Sequence, residues 1–372
     1  MGHMENTLTP QDRNYLHQAV ELGRGGWGHV HPNPMVGCVL VRDSTVVGQG
    51  WHQEVGGPHA EIHALTEAGR RAEGATAYVS LEPCSHFGRT PPCTSALMEA
   101  GIARVVYGAP DPGRESSGGG DQLRSAGIRV VGPVFPLEEA RRENPAFYFN
   151  QEHEACFVTL KLAQTLDGRI AEAPGYRTAI TGPEARMETH RLRAGFDAVM
   201  VGSETVLVDN PLLTVREGVS LRKQPTRIVL DTEARLSPDA ELFQDIPEAP
   251  LVIFTGDDAP ESSVGRLEGA GASVLRVPRG GEGVSVEDVL KGCWEMGIRS
   301  LFCEGGGRLS SHLIRRGIAR RLYLFVAPFV LGEKGVPAFT ALESREVWEP
   351  WNPAAPGLLF GKDTLLVFDR TD

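Results

Sequence analysis

An α/β architecture in two consecutive domains is what the sequence predicts, and three observations carry it. The chain has 372 residues, more than a single hydrophobic core ordinarily organises. β-Branched runs alternate with segments of helical periodicity throughout, as in layered α/β folds. Near the middle, the polar and acidic residues 150–155 interrupt the alternation and read as a connector. The expected domains are residues 1–149 and 150–372.

The elements follow in order. Tyr15, Leu16, Ala19, Val20 and Leu22 lie at helical spacing within residues 11–24, and Gly25-Gly26 stops the helix. Residues 35–41 and 45–48 flank the turn residues Arg42-Asp43-Ser44 and predict a hairpin. Helix 61–69, strand 77–81, helix 94–101 and strand 103–107 come next. After the glycine-rich stretch 113–120, a short helix (122–126), a strand (128–131) and a helix (136–146) complete the first domain. The second domain reads as strands 157–163, 198–201, 227–231, 251–254, 273–277, 300–303 and 322–325, with helices 183–193, 285–295 and 309–316.

Composition excludes several classes. With 41% hydrophobic and 23% charged residues the chain is neither disordered nor fibrous. A net charge of −11, split as −4 before and −7 after residue 150, argues against gripping nucleic acid, which needs clustered Lys and Arg. A small anionic substrate held by a few cations remains compatible with that balance. Six cysteines in so long a chain make a poor disulfide framework and point to metal binding or burial in a reducing compartment. The longest apolar run, 322–331, is about half a membrane span, and the polar start lacks a signal-peptide core, so a cytoplasmic location is expected.

The strongest local signal is His59-Ala60-Glu61, then Pro83-Cys84, then eight residues, then Cys93. One imidazole and two thiolates suit tetrahedral zinc with the fourth position left to water. Glu61, two residues after the His, can reach that water without binding the metal and shuttle its proton, the arrangement of the zinc deaminases. Their usual Cys-to-Cys spacing is shorter than the one found in this chain. A closed structural zinc with His63 or His86 as fourth ligand is the competing reading.

With these residues stated, HPNPMVGCVLV (31–41), HAEIHAL (59–65) and LEPCSHFGRTPPC (81–93) resemble the deaminase half of the bifunctional riboflavin-biosynthesis deaminase/reductases. That resemblance implies a cytidine-deaminase-like α/β/α zinc domain with His59, Cys84 and Cys93 as ligands and Glu61 as the catalytic residue. It implies a pyrimidine substrate carrying a ribosylamino phosphate, with Asn33, His86 and Arg89 as candidate contacts. The family's Asp-Pro-Asn stands as Asp111-Pro112-Gly113, which puts one substrate contact in question.

In the second half, a strand ending at Glu304, then Gly305-Gly306-Gly307, then a helix from Leu309 form a unit whose exposed amides can bind phosphate. LKLAQTLDGRIA (160–171), GSETVLVDNPLLTVR (202–216) and CEGGGRLSSHL (303–313) extend the resemblance over nearly the whole chain. It implies a dihydrofolate-reductase-like domain using NADPH. Ala163, Thr205, Asp209, Thr232, Gly306, Gly307, Arg308, Leu309, Ser310, Ser311 and His312 would meet the cofactor. Arg193, Leu213, Arg216 and Glu304 would meet the substrate, with Lys161 and Asp167 as further candidates for substrate or fold-holding roles. Where many relatives read Ser-x-Trp-Ile-Thr, this chain has Arg177-Thr178-Ala179-Ile180-Thr181, so those two contacts are not carried over.

The implied function is deamination followed by reduction in riboflavin biosynthesis. A deaminase/reductase acting on a related pyrimidine is the alternative. An RNA- or cytidine-editing enzyme is disfavoured by the acidic halves and the lengthened TPPC loop, and a non-catalytic zinc-stabilised binding protein by the intact Glu61. The apolar segment 322–331 could pair across a subunit interface and make a homo-oligomer.

Overall fold

The computed structural model describes residues 8–87, 91–340 and 351–370. The chain divides into two compact units, Met1–Glu154 and Ala155–Asp372. The division falls inside the expected connector 150–155 but later than the 149/150 boundary, because residues 150–153 continue a helix.

In the first unit, α1 (Pro10–Gly23) precedes a hairpin of β1 (Gly37–Arg42) and β2 (Thr45–Trp51). Then come α2 (Ala60–Ala68), β3 (Thr76–Leu81), α3 (Cys93–Glu99), β4 (Arg104–Ala109), α4 (Gly119–Ser125), β5 (Arg129–Val131), α5 (Leu137–Glu143) and α6 (Pro145–His153). The sheet order is β2-β1-β3-β4-β5, with β3, β4 and β5 parallel and β1 antiparallel to both neighbours. Asp43 and Ser44 close the hairpin with φ of 50° and 60°, the twist that two-residue loops require. One sheet face packs Leu40, Val79 and Val105 against Ala64, Leu97 and Leu123. The other packs Val39, Tyr78 and Val106 against Tyr15, Leu16 and Ala19 of α1. Close approach explains two strand glycines: a Cβ on Gly37 would lie 2.0 Å from Ala19 O, and one on Gly48 would lie 2.3 Å from Ala64 O.

The predicted helix 136–146 is two helices. Pro145 has no N–H to continue α5, so the chain breaks at Asn144 and restarts with proline in the first turn of α6. Asn144 uses the break, accepting from Met35 N at 2.8 Å and donating to Met35 O at 3.2 Å.

The second unit contains β6 (Phe157–Thr165), β7 (Arg169–Ala171), α7 (Pro183–Ala194), β8 (Ala198–Gly202), α8 (Ser203–Asp209), β9 (Thr226–Leu230), β10 (Leu251–Gly256), α9 (Glu261–Gly269) and β11 (Ser273–Val277). It continues with β12 (Arg279–Gly280), β13 (Gly283–Val284), α10 (Val286–Glu295), β14 (Ser300–Cys303), α11 (Gly307–Arg315), β15 (Ala319–Ala327), β16 (Val336–Pro337), β17 (Trp351–Phe360) and β18 (Asp363–Arg370). Nine strands form one sheet in the order β11-β10-β9-β8-β14-β6-β15-β18-β17. Strands β11 through β15 of that order are parallel, and β18 and β17 close the far edge antiparallel. Val158, Leu160, Met200, Ile228, Phe254 and Leu313 are in its core. Helices α8 and α9 and the terminal β17–β18 hairpin go beyond the sequence expectation. Strand β15 is interior, paired with β6 on one side and β18 on the other, so its backbone offers nothing to a second subunit. None of the described helices is long and apolar enough to cross a membrane.

A buried ion pair ties α1 to the first sheet. Asp12 is 2% exposed, caps α1 together with Thr9, and takes Arg104 at 2.7 Å and Tyr78 Oη at 2.7 Å. Burial alone would raise its pKa, but the Arg104 guanidinium and the Thr9 and Tyr78 donors outweigh it and hold the carboxyl well below its usual range. Removing one partner of such a pair costs roughly 3 kcal/mol, so Asp12→Ala should lower the unfolding midpoint of the N-terminal unit accordingly. A depressed folded-state pKa means stability present above the ordinary carboxylate value and lost below it. The advantage of the wild type over Asp12→Asn should therefore shrink as pH falls below about 4.

Candidate active sites

In the first unit, three donors converge where helices begin. His59 is the N-cap of α2, Cys93 is the first residue of α3, and Cys84 follows the end of β3. His59 Nδ1 lies 3.2 Å from Cys93 Sγ and 3.5 Å from Cys84 Sγ, and all three ligand atoms fall within 4.8 Å of one another. Cys84 Sγ also accepts the Cys93 backbone N–H at 3.3 Å. Positive helix ends favour anionic sulfur. The Cys93 thiol and the His59 ring, both donating to Cys84, pull that thiol below its ordinary value despite burial. A compact N/S/S set of this kind can hold a tetrahedral soft-metal ion and leave one position open. Neither His63 nor His86 joins this group among the described residues, so the closed four-ligand alternative has no support.

Glu61 is the second residue of α2 and 3% exposed. Burial raises its pKa, and its carboxyl lies within bonding reach of Cys93. It is thus poised beside the donor set without belonging to it. Asn33 Nδ2 meets His52 Nε2 at 3.1 Å, and His52 Nδ1 meets Pro58 O at 3.0 Å. A carbonyl can only accept, so His52 carries its proton on Nδ1 and receives the Asn33 amide on Nε2. Burial keeps that ring neutral. The His52 ring also stands edge-on to His59 with centroids 5.5 Å apart. His52 escaped the sequence reading because nothing in its spacing distinguishes the residue after a strand end. His86 has a buried Nδ1 with no partner among the described residues, and Arg89 lies outside them.

At the Gly113 departure, a Cβ would lie 2.2 Å from Ser116 Oγ, and the loop is closed by Gly113 N donating to Asp111 Oδ1 at 2.8 Å. Its backbone is tied to the metal-donor segment through Ser85, which donates to Ser117 O at 2.7 Å, and through Glu82, which accepts from Gly120 N at 2.9 Å.

In the second unit, candidates gather at the carboxyl ends of parallel strands. β8 leads directly into α8, which carries Thr205 and Asp209; Thr232 follows β9; and β14 ends at Cys303, followed by Glu304 and the three glycines. Ala163 is near the end of β6. Connections leave β8 and β14 in opposite directions along the sheet, the switch point where open α/β sheets take ligands. Helix α11 starts at Gly307, two residues earlier than predicted, with Gly306 as a cap bearing no side chain. A Cβ at Gly307 would lie 2.8 Å from Pro337 O, whereas Gly306 faces open space. Ser310 donates to Gly305 O at 3.0 Å and Ser311 accepts from Thr340 N at 2.8 Å, so both hydroxyls brace the turn. Arg308 is exposed, Leu309 packs against the core, and His312 faces Glu282 at 3.5 Å. Asp209 has its pKa raised by burial and lowered by nearby Arg177, one of the two departures; the other, Ala179, is exposed.

Beside this edge, Glu304 accepts a two-pronged bond from Arg193 and lies 4.0 Å from Lys161 Nζ. Burial would raise the Glu304 pKa, but the two cations hold it down. Burial lowers that of Lys161, which stands 5.6 Å from the centre of the Phe325 ring. Arg193 also donates to Thr214 O at 2.9 Å and Arg216 to Thr214 Oγ1 at 3.0 Å, so two guanidiniums meet at one residue. His190 accepts Arg216 N on Nδ1 at 3.2 Å; burial and both arginines push its pKa down to about 4, keeping it neutral. His190 was not singled out by sequence. Leu213 is 2% exposed with φ of 57°, so only its backbone is available to a ligand. Asp167 takes Gly332 N at 2.7 Å and Leu331 N at 3.2 Å, a loop-holding role.

Comparison with known proteins accounts for both halves. The cytidine and deoxycytidylate deaminase zinc-binding region matches residues 9–109, and the RibD C-terminal domain matches residues 156–351. The riboflavin biosynthesis protein RibD of Aquifex aeolicus is 42% identical over 323 residues, 87% of this chain and 88% of that protein. RibD of Escherichia coli is 38% identical over 351 residues, covering 90% and 92%. The solved structure of a Thermotoga maritima diaminohydroxyphosphoribosylaminopyrimidine deaminase/5-amino-6-(5-phosphoribosylamino)uracil reductase superposes with a TM-score of 0.83 at 32% identity, covering 97% of this chain and 99% of that one. Acinetobacter baumannii RibD superposes with a TM-score of 0.82 at 33% identity over the same shares. The chain therefore belongs to the RibD family, bifunctional enzymes of riboflavin biosynthesis that join a zinc-binding deaminase domain to a reductase domain.

Proposed function

We propose that the N-terminal unit removes the 2-amino group of 2,5-diamino-6-(5-phosphoribosylamino)pyrimidin-4-one and that the C-terminal unit then reduces the ribosyl group to ribityl with NADPH. The observation that carries this reading is the convergence of His59, Cys84 and Cys93 beside a buried Glu61, in a chain 32% identical to a protein described as that deaminase/reductase.

His59, Cys84 and Cys93 would hold zinc, which when bound would supply a water acidified enough to attack the pyrimidine carbon. Glu61, buried beside the donor set, would accept a proton from the attacking water and pass it to the amino nitrogen, which leaves as ammonia when the carbon–nitrogen bond breaks. Its burial, which favours the protonated form, suits that delivery. The Asn33 amide, oriented by His52, holds the pyrimidine edge, with His86 and Arg89 toward the sugar phosphate. A related pyrimidine is the second reading, supported by Gly113 standing where the family pattern has asparagine.

In the reductase unit, Gly306, Gly307 and Arg308 receive the cofactor phosphates, with Ala163, Thr205, Asp209 and Thr232 along the same edge. NADPH bound there would supply hydride to C1′. Lys161 gives a proton to the ring oxygen as the C1′–O bond opens, and its lowered pKa eases that step. Arg216, whose guanidinium donates to Thr214 Oγ1, receives the phosphate, with Arg193 held beside it by the Glu304 carboxylate and Thr214 O. The six buried, unbridged cysteines support a reducing, cytoplasmic setting.

Glu61→Gln should cut ammonia release about 10²- to 10⁴-fold, leaving zinc content and NADPH oxidation on the deaminated intermediate intact; loss of both activities together would contradict two separate sites. Chelation with metal removal confirmed should abolish the first reaction and spare the second. Arg216→Ala should raise the reductase KM about 10- to 100-fold for the phosphorylated substrate and leave its dephosphorylated counterpart unaffected. Equal effects on both substrates would remove Arg216 from the phosphate site.

A further inference from the structure

Next to Thr232, at the rim formed by the ends of β9 and β10, is a guanidinium to which neither the sequence reading nor the function proposed above assigns a task. Arg279 opens the small β12–β13 hairpin and reaches back over the sheet edge. Its Nε lies 2.7 Å from Asp258 Oδ1, past the end of β10, and its NH1 lies 2.6 Å from Glu233 Oε1, past the end of β9. Gly256 is the common floor: its N–H donates to Thr232 O at 3.0 Å, and a Cβ on it would lie 2.8 Å from Asp258 Oδ1, 3.1 Å from Thr232 O and 3.4 Å from Arg279 Nε. The far end of the hairpin is anchored to α11, because Glu282 pairs with Arg315 and faces His312. The helix whose first turn receives the cofactor phosphates is therefore braced against the hairpin that carries Arg279.

Two of the guanidinium's five N–H donors hold the carboxylates, and no other acceptor engages it among the described residues. All three side chains are substantially exposed, at 39%, 50% and 59%, so these pairs hold little free energy and yield readily to a stronger anion. A phosphate, with more charge and a geometry matched to the guanidinium fork, is such an anion. Of the neighbouring cations, Arg276 also holds the Asp257 and Ala259 carbonyls, and Arg235 and Arg315 pair with Glu204 and Glu282.

We propose that Arg279 is the specificity-determining residue of the reductase cofactor site, reading the 2′-phosphate on the adenosine ribose of NADPH, with Glu233 and Asp258 holding its fork at the rim until the dinucleotide arrives. This rests on the NADPH reading above and identifies the group that distinguishes NADPH from NADH.

The test is equilibrium binding to the full-length protein by titration calorimetry, with NADP⁺, NAD⁺ and 2′,5′-ADP as probes. Arg279→Ala should weaken NADP⁺ and 2′,5′-ADP about 10- to 100-fold, as expected for losing a charge-assisted pair, and change NAD⁺ less than about twofold. Arg279→Lys should recover part of the loss. Glu233→Gln, which removes a competing anion, should tighten NADP⁺ by about two- to fivefold and leave NAD⁺ unchanged, a gain that a purely hairpin-bracing role does not produce. Equal weakening of NADP⁺ and NAD⁺ by Arg279→Ala, or no change in either, overturns the role of Arg279 and leaves the cofactor site standing. A wild-type protein that binds none of the three probes overturns the cofactor reading as well.

Discussion

The passage from a parallel strand, or from the loop beside it, into a helix is the constraint on which both sites depend. Parallel strands deliver their carboxyl ends to one edge of the sheet, and each following helix starts there with unpaired N–H groups. In the first unit that edge receives His59 as the cap of α2, Cys84 after β3 and Cys93 at the start of α3. In the second, β8 passes into α8 and β14 into α11, and Gly306 caps the latter without a side chain. The antiparallel strands β1, β2, β17 and β18 contribute scaffold and no candidate ligand.

Charge is handled locally within an acidic chain. The deaminase candidates are tuned by burial and by one another, as the Cys84 thiol is lowered by Cys93 and His59. The reductase candidates put Lys161 and Arg193 against the single carboxylate of Glu304, with Arg216 close by. Lys161 and Arg193 thus share one carboxylate, so cations gather where a sugar phosphate would bind, although the whole chain carries −11. Arg227, wholly buried, shows the other use of the same side chain. It satisfies its donors on the carbonyls of Leu212, Gln244 and Ala249 and so anchors the loop that holds Leu213 at positive φ.

Long elements with strong periodicity were legible, and misreadings share physical causes. Strand β17 reads WNPAAPGLLF, a sequence that suggests a loop because proline cannot donate to a ladder. At the edge of a sheet that restriction is tolerated, and the register shifts between Pro353 and Ala355 and again between Ala355 and Leu358 absorb it. Of the apolar segment 322–331, residues 322–327 belong to β15 and take their hydrophobicity from an interior position between β6 and β18, while Phe329 and Val330 beyond the strand are exposed. The connector expected at 150–155 is largely helical because Tyr148 and Asn150 are buried, which polarity alone does not reveal.

By itself the sequence determined the chemistry on offer: a His, two Cys and a Glu in the order of the zinc deaminases with a lengthened Cys-to-Cys loop, a glycine turn between strand and helix, two α/β layers and a family resemblance over nearly all of the chain. Those are local patterns, set by residue type and by spacing of a few positions. Tertiary structure decided the pairings that join distant segments: His52 with Asn33, His190 with Arg216, Arg193 with Glu304, and Arg279 with Glu233 and Asp258. These contacts span from 19 to 111 positions along the chain, and only the packing of strands into one sheet edge brings such side chains within hydrogen-bond distance.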